Sequence, residues 1–390
     1  MTNKVVDCLV GLQWGSEGKG KIAAYLAEEY NAMVRSGGPQ AGHTFFHKED
    51  KYINRQIPCG VVNPNCLLYL SAGSILNLPV LTEELKKFNV YPNRLMIDNN
   101  AGVITKKHLD LERKKKLGKK LASTLEGVGA AQAGKVFRED LLYKSYALKN
   151  PELYFFCNDT SKAINIQIEN NHPILLEGTQ GFGLCLNHGT YPYVTSRDIT
   201  SSALLNDAGI APCYLNSTIG VMRTCPIRVG GNSGPTDSKE TDWEEITWKS
   251  GSPKPILEHT SVTGRIRRVF EQDLSVLEKA LMINRPTQIA LMFIDYINHE
   301  DYGKTKFESL SSESKDYIYS LEKILNVPIT LIGTGPKREH IIDVRHIGEK
   351  ASPVLNPGEI FDGECMFPKS FYSYDWNSGF IEEFIEKKFL

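Results

Sequence analysis

Short apolar runs alternate along this chain with segments of helical periodicity. The first run is followed directly by a glycine-rich turn and then by a helical pattern that extends from about Lys21 to Tyr30. Further runs of the same kind lie at residues 31–35, 67–71, 174–177, 288–295 and 328–332, after the first at 5–12. Continuous short apolar runs between helices are typical of parallel strands buried on both faces. The pattern predicts an α/β fold with a mostly parallel central sheet and surrounding helices.

Glycine-rich or polar loops follow the carboxyl ends of most of these runs. In an open parallel sheet the carboxyl ends of the strands border the crevice that binds ligands. We therefore expect the functional site in these loops. The chain shows no internal repeat or Pro/Ser-rich linker, so one domain with insertions is predicted over residues 1–390.

Composition narrows the class of protein. Hydrophobic residues make up 41% and charged residues 23% of the 390 positions, as in a globular protein, and the formal net charge is −1. This balance gives no electrostatic reason to expect a nucleic acid as partner, and the basic segment 106–120 is interpreted as a solvated helix face. No apolar run approaches ~20 residues and no signal-peptide pattern is seen, so we expect no membrane partner and a cytoplasmic location. The eight cysteines form no C-x-x-C pair, which favours reduced thiols.

The turn after the first strand has the spacing of a phosphate-binding loop. Gly15 and Gly20-Lys21 match the P-loop pattern, but Ile22 stands where Ser or Thr binds magnesium. Backbone N–H groups at a helix N-terminus face phosphate oxygens, and Lys19 or Lys21 would add a positive charge. The alternative is a tight turn with lysines that face solvent.

Two further groups could carry chemistry. His43 lies in a second glycine loop, where it could act as an acid or hydrogen-bond donor to a developing oxyanion, or could be ordinary polar surface. Arg265 and Arg267 lie on one side of the chain if it is extended, which suits bidentate binding of a carboxylate or phosphate. A salt-bridge patch at a helix start is the alternative for the arginines.

Seven ordered motifs together resemble the adenylosuccinate synthetase family over nearly the whole chain. They lie at residues 14–21, 41–44, 177–181, 188–195, 228–230, 263–265 and 333–336. The resemblance implies a ligase in which a nucleoside triphosphate phosphorylates the 6-oxygen of IMP. L-Aspartate then displaces the phosphate and forms a C–N bond.

The resemblance also implies a role for individual residues. His43 would act at O6, Ser16 stands at the catalytic position beside it, and Arg138 would reach the partner's nucleotide phosphate in a homodimer. Mg²⁺ would contact Ser16 and the Gly42 carbonyl. The triphosphate would contact Gly15, Ser16, Glu17, Gly18, Lys19, Gly20, Lys21, Gly42, His43, Thr44, Asp295, Gly333, Thr334, Gly335 and Pro336. The substrate nucleotide would contact Ser16, Lys19, Gln40, Ala41, Ser123, Thr124, Arg138, Gln180, Thr195 and Arg265, and aspartate would contact Val262, Thr263, Gly264, Arg265 and Arg267.

Three positions depart from the family pattern. Ser16 replaces the aspartate that removes the N1 proton and ligates Mg²⁺; a placed general base contributes ~10²–10⁴-fold, and a hydroxyl is too weakly basic to replace it. Phe293 replaces the lysine of a guanine-recognition element whose Asp295 is kept, which weakens the case for GTP. Leu125-Glu126 replaces Gly-Arg in the nucleotide loop.

The serine is similar to that of a phage branch of the family that makes 2-aminoadenylosuccinate. That similarity implies dGMP, L-aspartate and ATP or dATP as substrates, a product that leads to diaminopurine deoxynucleotide, and the host cytoplasm as location. A smaller serine leaves room for the 2-amino group of guanine. The N1 proton could go to water, to phosphate or through the Ser16 hydroxyl. The alternatives are an adenylosuccinate synthetase that uses IMP with GTP or ATP, and an inactive nucleotide sensor. The retained Lys19, His43, Arg265 and Arg267 argue against the sensor.

Overall fold

A computed structural model describes residues 4–47, 49–260 and 264–345 of the 390-residue chain. Within these residues the strands are β1 Val6–Gly11, β2 Ala32–Arg35, β3 His43–His47, β4 Asp50–Asn54, β5 Leu67–Leu70, β6 Ile75–Leu76, β7 Leu95–Asp98, β8 Gly102–Val103, β9 Cys157–Asn158, β10 Ile174–Glu177, β11 Leu215–Arg223, β12 Ile227–Arg228, β13 Glu240–Thr241, β14 Arg268–Phe270, β15 Gln288–Met292, β16 Ile329–Gly333 and β17 Ile341–Asp343. The α-helices are α1 Lys19–Leu26, α2 Leu78–Phe88, α3 Lys106–Lys114, α4 Leu117–Leu121, α5 Val128–Phe137, α6 Tyr143–Ala147, α7 Pro151–Tyr154, α8 Thr160–Glu169, α9 Ser201–Ala208, α10 Trp243–Ser250, α11 Leu274–Asn284 and α12 Ser312–Leu325.

The central sheet confirms the predicted α/β fold. Its strand order is β17-β16-β15-β11-β1-β10-β2-β5-β7-β9, and every neighbouring pair is parallel except β16–β17. Alternate side chains of β1 enter different cores: Cys8 and Val10 pack in one cluster and Leu9 in the other. Burial of both faces explains why the strands read as continuous apolar runs.

The sheet register brings the predicted loops together. Glu177 at the end of β10 pairs with Leu9 of β1 on one side and with Arg35 of β2 on the other. The loops after β1, β2, β10, β15 and β16 therefore emerge at the same edge of the sheet. The hairpin β3–β4 and a small antiparallel sheet of β12, β14 and β13 are separate from the central sheet.

Some predicted boundaries differ from the structure. The first helix starts at Lys19, two residues before the predicted start near Lys21, and ends at Leu26, where a single 3₁₀ turn, Ala27–Glu29, continues it to near the predicted end at Tyr30. The basic segment 106–120 forms two short helices, and its buried side carries His108 and Glu112.

Three other expectations concern the whole chain. The seven described cysteines are free thiols, and Cys365 lies outside the described residues. Among the described helices, none combines the length and apolarity that a bilayer crossing needs. The assignment of residues 1–390 to a single domain stays a prediction.

Candidate active site

The turn between β1 and α1 is shaped by left-handed backbone. Gly15, Ser16 and Gly18 have φ values of 91°, 58° and 99°, and Gly18 is the N-cap of α1. Glycine adopts this left-handed region of φ and ψ at little energetic cost, whereas the conformation is unfavourable for serine. A Cβ built on Gly20 would lie 2.7 Å from Cβ of His43, so the start of α1 packs directly against the second glycine loop.

Glu17 holds the phosphate loop in shape. Its buried carboxylate accepts hydrogen bonds from the backbone N–H groups of Gln13 at 3.2 Å and Gly15 at 2.8 Å. The Lys19 ammonium lies 2.5 Å from the other carboxylate oxygen. The ion pair compensates two charges that would be costly to bury singly.

Lys21 connects the glycine-rich turn after β1 to the loop after β16, which contains Gly335 and His340. Its ammonium donates to the carbonyl oxygens of Gly335 at 2.7 Å and His340 at 2.6 Å. Burial lowers the pKa of Lys21 to about 7, although Asp295 and Glu339 raise it. In the ligand-free protein, Lys21 is therefore partly neutral near neutral pH.

His43 is held from behind by a buried ion-pair cluster. Its Nδ1 lies 2.6 Å from Oε1 of Glu177, and Arg35 donates to the same oxygen at 2.9 Å. The backbone N–H of Cys59 donates to Oε2 at 2.6 Å, and its thiol lies 3.2 Å from Oε1. His43, Cys59 and Glu177 offer ligand atoms within 4.8 Å of one another, but Arg35 and these hydrogen bonds already occupy the carboxylate.

This cluster fixes the protonation of His43. Burial alone would raise the pKa of Glu177, but Arg35 and the hydrogen bond from His43 lower it to about 2. Burial and then the charge of Arg35 lower the pKa of His43 to about 4. An ionised carboxylate only accepts hydrogen bonds, so the neutral ring carries its proton on Nδ1 and leaves Nε2 for a ligand.

A second buried carboxylate organises the opposite wall. Glu258 forms ion pairs with Arg223 and, at 2.5 Å, with Arg267, and accepts from the Tyr296 hydroxyl at 3.0 Å. Burial would raise the pKa of Glu258, but Arg223 and then Arg267 lower it to about 2. The Arg223 guanidinium lies 4.0 Å from the centre of the Phe293 ring, within the range of a cation–π contact.

Asp295 lies at the carboxyl end of the sheet next to Phe293. Phe293 has a φ of 66°, and the turn Ile294–Tyr296 follows it. Burial raises the pKa of Asp295 to about 6, with smaller opposing contributions from a backbone hydrogen bond and from Lys21. Its Oδ1 is buried and has no hydrogen-bond partner among the described residues. A buried acceptor without a partner is costly unless a ligand donor reaches it.

These loops enclose a cleft of about 690 Å³. Most of the predicted site residues line it, namely Gly15, Ser16, Glu17, Gly18, Lys19, Gly20, Lys21, Gln40, Ala41, Gly42, His43, Thr44, Thr124, Gln180, Arg267, Asp295, Gly335 and Pro336. A volume of this order is in the usual range for sites that bind small molecules.

Other predicted residues do not line the cleft. Gly333 and Thr334 are buried outside its lining, and the Thr334 hydroxyl donates to the Lys304 carbonyl at 2.7 Å. Ser123 accepts from the Leu125 N–H at 3.1 Å. Gly264, Arg265 and Thr195 are likewise outside the lining, Arg138 is exposed at the end of α5, and Val262 and Thr263 lie outside the described residues.

Several residues that shape the site do not stand out in the sequence. The motif at residues 177–181 gives Glu177 no chemical role of its own, although an acid at the end of a buried strand was a usable signal. Glu258 lies in no motif, and its partners Arg223 and Tyr296 are 35 and 38 residues away. The aromatic residues Tyr296, His299 and Tyr302 also line the cleft.

Comparison with known proteins decides the family. A sequence model of the adenylosuccinate synthetase family matches residues 8–152 and 142–302. The chain belongs to the adenylosuccinate synthetase family. It is therefore a C–N bond-forming ligase of the type that binds a purine nucleotide, aspartate and a nucleoside triphosphate.

Relatives and solved structures agree with this assignment. The chain is 38% identical to the adenylosuccinate synthetase of Methanocaldococcus jannaschii over 345 residues, which cover 87% of this chain and 96% of the relative. The fully ligated adenylosuccinate synthetase of Plasmodium falciparum superposes with a TM-score of 0.77 at 26% identity, covering 87% of this chain and 100% of that one. The cyanophage S-2L succinoaminodeoxyadenylate synthetase (PurZ), solved with dGMP and with dATP as energy donor, has a TM-score of 0.74 at 28% identity, covering 87% and 95%.

Proposed function

We propose that this ligase acts on dGMP. In this reaction O6 of dGMP attacks the γ-phosphorus of ATP or dATP, and the nucleoside diphosphate leaves. The amino group of L-aspartate then attacks C6 and expels phosphate, giving 2-amino-2′-deoxyadenylosuccinate for diaminopurine nucleotide synthesis. The observation that carries the proposal is Ser16, an exposed hydroxyl in the phosphate loop at the edge of the cleft.

Ser16 suits a purine with a 2-amino group. The hydroxyl occupies less space than a carboxylate and can accept a hydrogen bond from an amino group. The side-chain oxygens of Gln40 and Gln180, which also line the cleft, are buried without a partner in the part of the chain that the structure describes. Guanine offers more N–H groups to such acceptors than hypoxanthine does.

His43 would hold the reacting oxygen. With Nδ1 bonded to Glu177, its Nε2 is the ring atom available to O6. Negative charge that builds on O6 and on the transferring phosphoryl group favours the protonated ring, and the ionised Glu177 stabilises it. Nε2 can then donate a hydrogen bond where charge develops, which is the usual way such a site lowers a barrier.

The end of the cleft formed by Phe293 and Asp295, called the donor end because the energy-donating triphosphate would bind there, fits an adenine base better than guanine. Phe293 provides an aromatic edge without the charge of a lysine, and Asp295 has an unpaired oxygen that can accept from the 6-amino group of adenine. We therefore assign ATP or dATP as the energy donor. The PurZ structure, solved with dATP, supports this assignment.

The residues present fit Mg²⁺ bound mainly through the triphosphate. Ser16 and the Gly42 carbonyl are the neutral oxygen donors at this part of the cleft, while the Glu17 carboxylate is already engaged by Lys19 and backbone N–H groups. Mg²⁺ commonly takes one or two protein oxygens and completes its shell with substrate phosphates and water. The ion would neutralise phosphate charge during transfer.

Arg138 and the surface around it favour a homodimer. Arg138 ends α5 in an exposed position, and the apolar side chains Val136, Phe137 and Leu141 beside it are 62%, 71% and 51% exposed. Contiguous exposed apolar surface marks an interaction site. We propose that a second copy covers it and that Arg138 reaches the partner's nucleotide.

A substrate panel tests the proposal. Phosphate release is measured with dGMP, GMP or IMP, each combined with ATP, dATP or GTP, with and without L-aspartate. We expect aspartate-dependent release to be greatest with dGMP and ATP or dATP. Greater release with IMP and GTP would instead establish the second candidate, ordinary adenylosuccinate synthesis, which the 38% identity to the archaeal enzyme favours.

Ser16→Asp tests the residue that carries the proposal. The variant should shift substrate preference from dGMP toward IMP, and an unchanged preference would show that Ser16 does not select the purine.

A further inference from the structure

The loop between α4 and α5 has an unfavourable backbone. Ala122 and Leu125 have φ values of 52° and 58°, in the left-handed region that non-glycine residues rarely adopt, and Gly127 has a φ of 78°. Such conformations persist where the surroundings fix them, and they cluster at ligand sites. Thr124, in the middle of this loop, lines the cleft.

The loop is fixed from several sides. Glu112 on α3 accepts from the Gly127 N–H at 2.8 Å, and Asn232 donates to the carbonyl of Lys120, in the last turn of α4 just before the loop, at 2.7 Å. Arg265 donates to the Ala122 carbonyl at 3.3 Å, so the loop also contacts the segment that carries the predicted aspartate-binding arginines.

Arg55 connects this loop to the second glycine loop. Its guanidinium lies 2.6 Å from Oε2 of Glu126, and its Nε donates to the Pro39 carbonyl at 2.8 Å. Pro39 precedes Gln40, and Glu126 comes two residues after Thr124, so one side chain joins two cleft-lining segments. Both side chains are largely buried, at 24% and 22% exposure, so water screens this pair less than a surface pair.

We propose that Arg55 and Glu126 are positioning residues for the substrate nucleotide. The pair holds Thr124 and Gln40 at a fixed separation, and Arg55 neutralises a carboxylate that would otherwise repel a nucleotide phosphate. The inference rests on the proposed function, because the Thr124 side of the cleft must bind the purine monophosphate. It does not depend on which purine is bound.

Steady-state kinetics of Glu126→Gln and Arg55→Met test the pair. We expect the KM for the purine monophosphate to rise about tenfold, because loss of the contact loosens both segments. The kcat and the KM for ATP should change by less than about twofold, since neither residue touches the donor end. The double variant should be no worse than Arg55→Met alone.

The control is Glu29→Gln. Glu29 pairs with Arg345 at 2.6 and 2.9 Å, outside the cleft, and its loss should leave all kinetic constants unchanged. If Glu126 acted only by repelling phosphate, Glu126→Gln would lower the KM, and that result would overturn the proposal. Equal changes in kcat and both KM values would also overturn it, since they would indicate a general structural defect.

The same measurements separate this inference from the proposed function. Each variant is assayed with dGMP and with IMP. If the wild-type enzyme prefers IMP, the dGMP proposal fails, while a tenfold rise in the KM for IMP in Glu126→Gln still supports the positioning pair. An unchanged KM for the preferred nucleotide rejects the pair whichever purine is used.

Discussion

Glu17, Glu177 and Glu258 are carboxylates in or beside segments that are predicted to bind phosphate or aspartate, yet none of them presents an unpaired charge. Each is neutralised by a cation, namely Lys19, Arg35 and the Arg223–Arg267 pair respectively. Motif patterns predicted the lysine and one arginine as ligand-binding residues. They could not reveal the pairs Arg35–Glu177 and Arg223–Glu258, because an ion pair between residues far apart in the chain leaves no spacing signal.

Asp295 differs from these carboxylates because it forms no ion pair with a described residue, and the charge of Lys21 only partly offsets its burial. Its folded-state pKa of about 6 is above the unfolded value near 4, so the folded protein binds more protons across that interval. The stability penalty of its charge is absent below pH 4 and fully present above pH 6.

Asp295→Asn should therefore stabilise the ligand-free protein at high pH. We expect the free energy of unfolding to rise by on the order of 2–3 kcal/mol at pH 8 and by much less at pH 5. Denaturant unfolding at the two pH values measures this difference, with the exposed Asp316→Asn as control. A gain that is equal at both pH values would contradict the assigned pKa. Affinity for ATP should fall in the same variant.

At the scale of elements, the apolar runs predicted six of the ten strands of the central sheet, because parallel strands are buried on both faces, but they did not predict β7, β9, β11 or β17. They could not predict strand order, and strand order is what places Arg35 beside Glu177 and the pair behind His43. The start of α1 was missed because Gly18, with a φ of 99°, caps it two residues earlier than the helical periodicity indicates. Local patterns identify elements, whereas the site depends on how the sheet orders them.

Gly20→Ala tests the contact between α1 and the His43 loop. Alanine is favoured over glycine within a helix by ~1 kcal/mol, so propensity alone predicts a small gain in stability. The added Cβ would lie 2.7 Å from Cβ of His43, so we instead expect displacement of the ring and a fall in kcat of about tenfold to a hundredfold. A more stable variant with normal kcat would show that α1 and the His43 loop can move apart to accommodate the added methyl group without any effect on catalysis.

At the scale of the whole molecule, the cleft is built from one chain except for the predicted contribution of Arg138. This residue was assigned by resemblance, and its exposed position beside Phe137 is what such a contribution requires. The apolar patch could not be predicted from periodicity, because buried and interface positions read alike in a sequence.

Mixing two inactive variants tests this arrangement. His43→Ala and Arg138→Ala should each lose most activity, because each site then lacks one required side chain. A heterodimer of the two retains one complete site, so refolding an equal mixture should restore about a quarter of wild-type turnover. Sedimentation equilibrium confirms assembly, and His47→Ala, on the same strand as His43 but outside the cleft lining, is the control for the histidine change. If the mixture regains no activity, Arg138 acts in the site of its own subunit or in no active site, and the proposed contribution to the partner's site is wrong.

The contact between Lys21 and two neutral carbonyl oxygens has a calorimetric consequence. With a pKa of about 7, the empty protein holds much of this lysine uncharged at pH 8, whereas a bound triphosphate favours the ammonium form. Binding of ATP at pH 8 should take up a fraction of a proton from the buffer. The observed enthalpy should then vary with the ionisation enthalpy of the buffer at pH 8 and hardly at pH 6, and Lys21→Gln should abolish the dependence. The affinity of this enzyme for ATP would therefore depend on pH through the protonation of a single buried amine, that of Lys21.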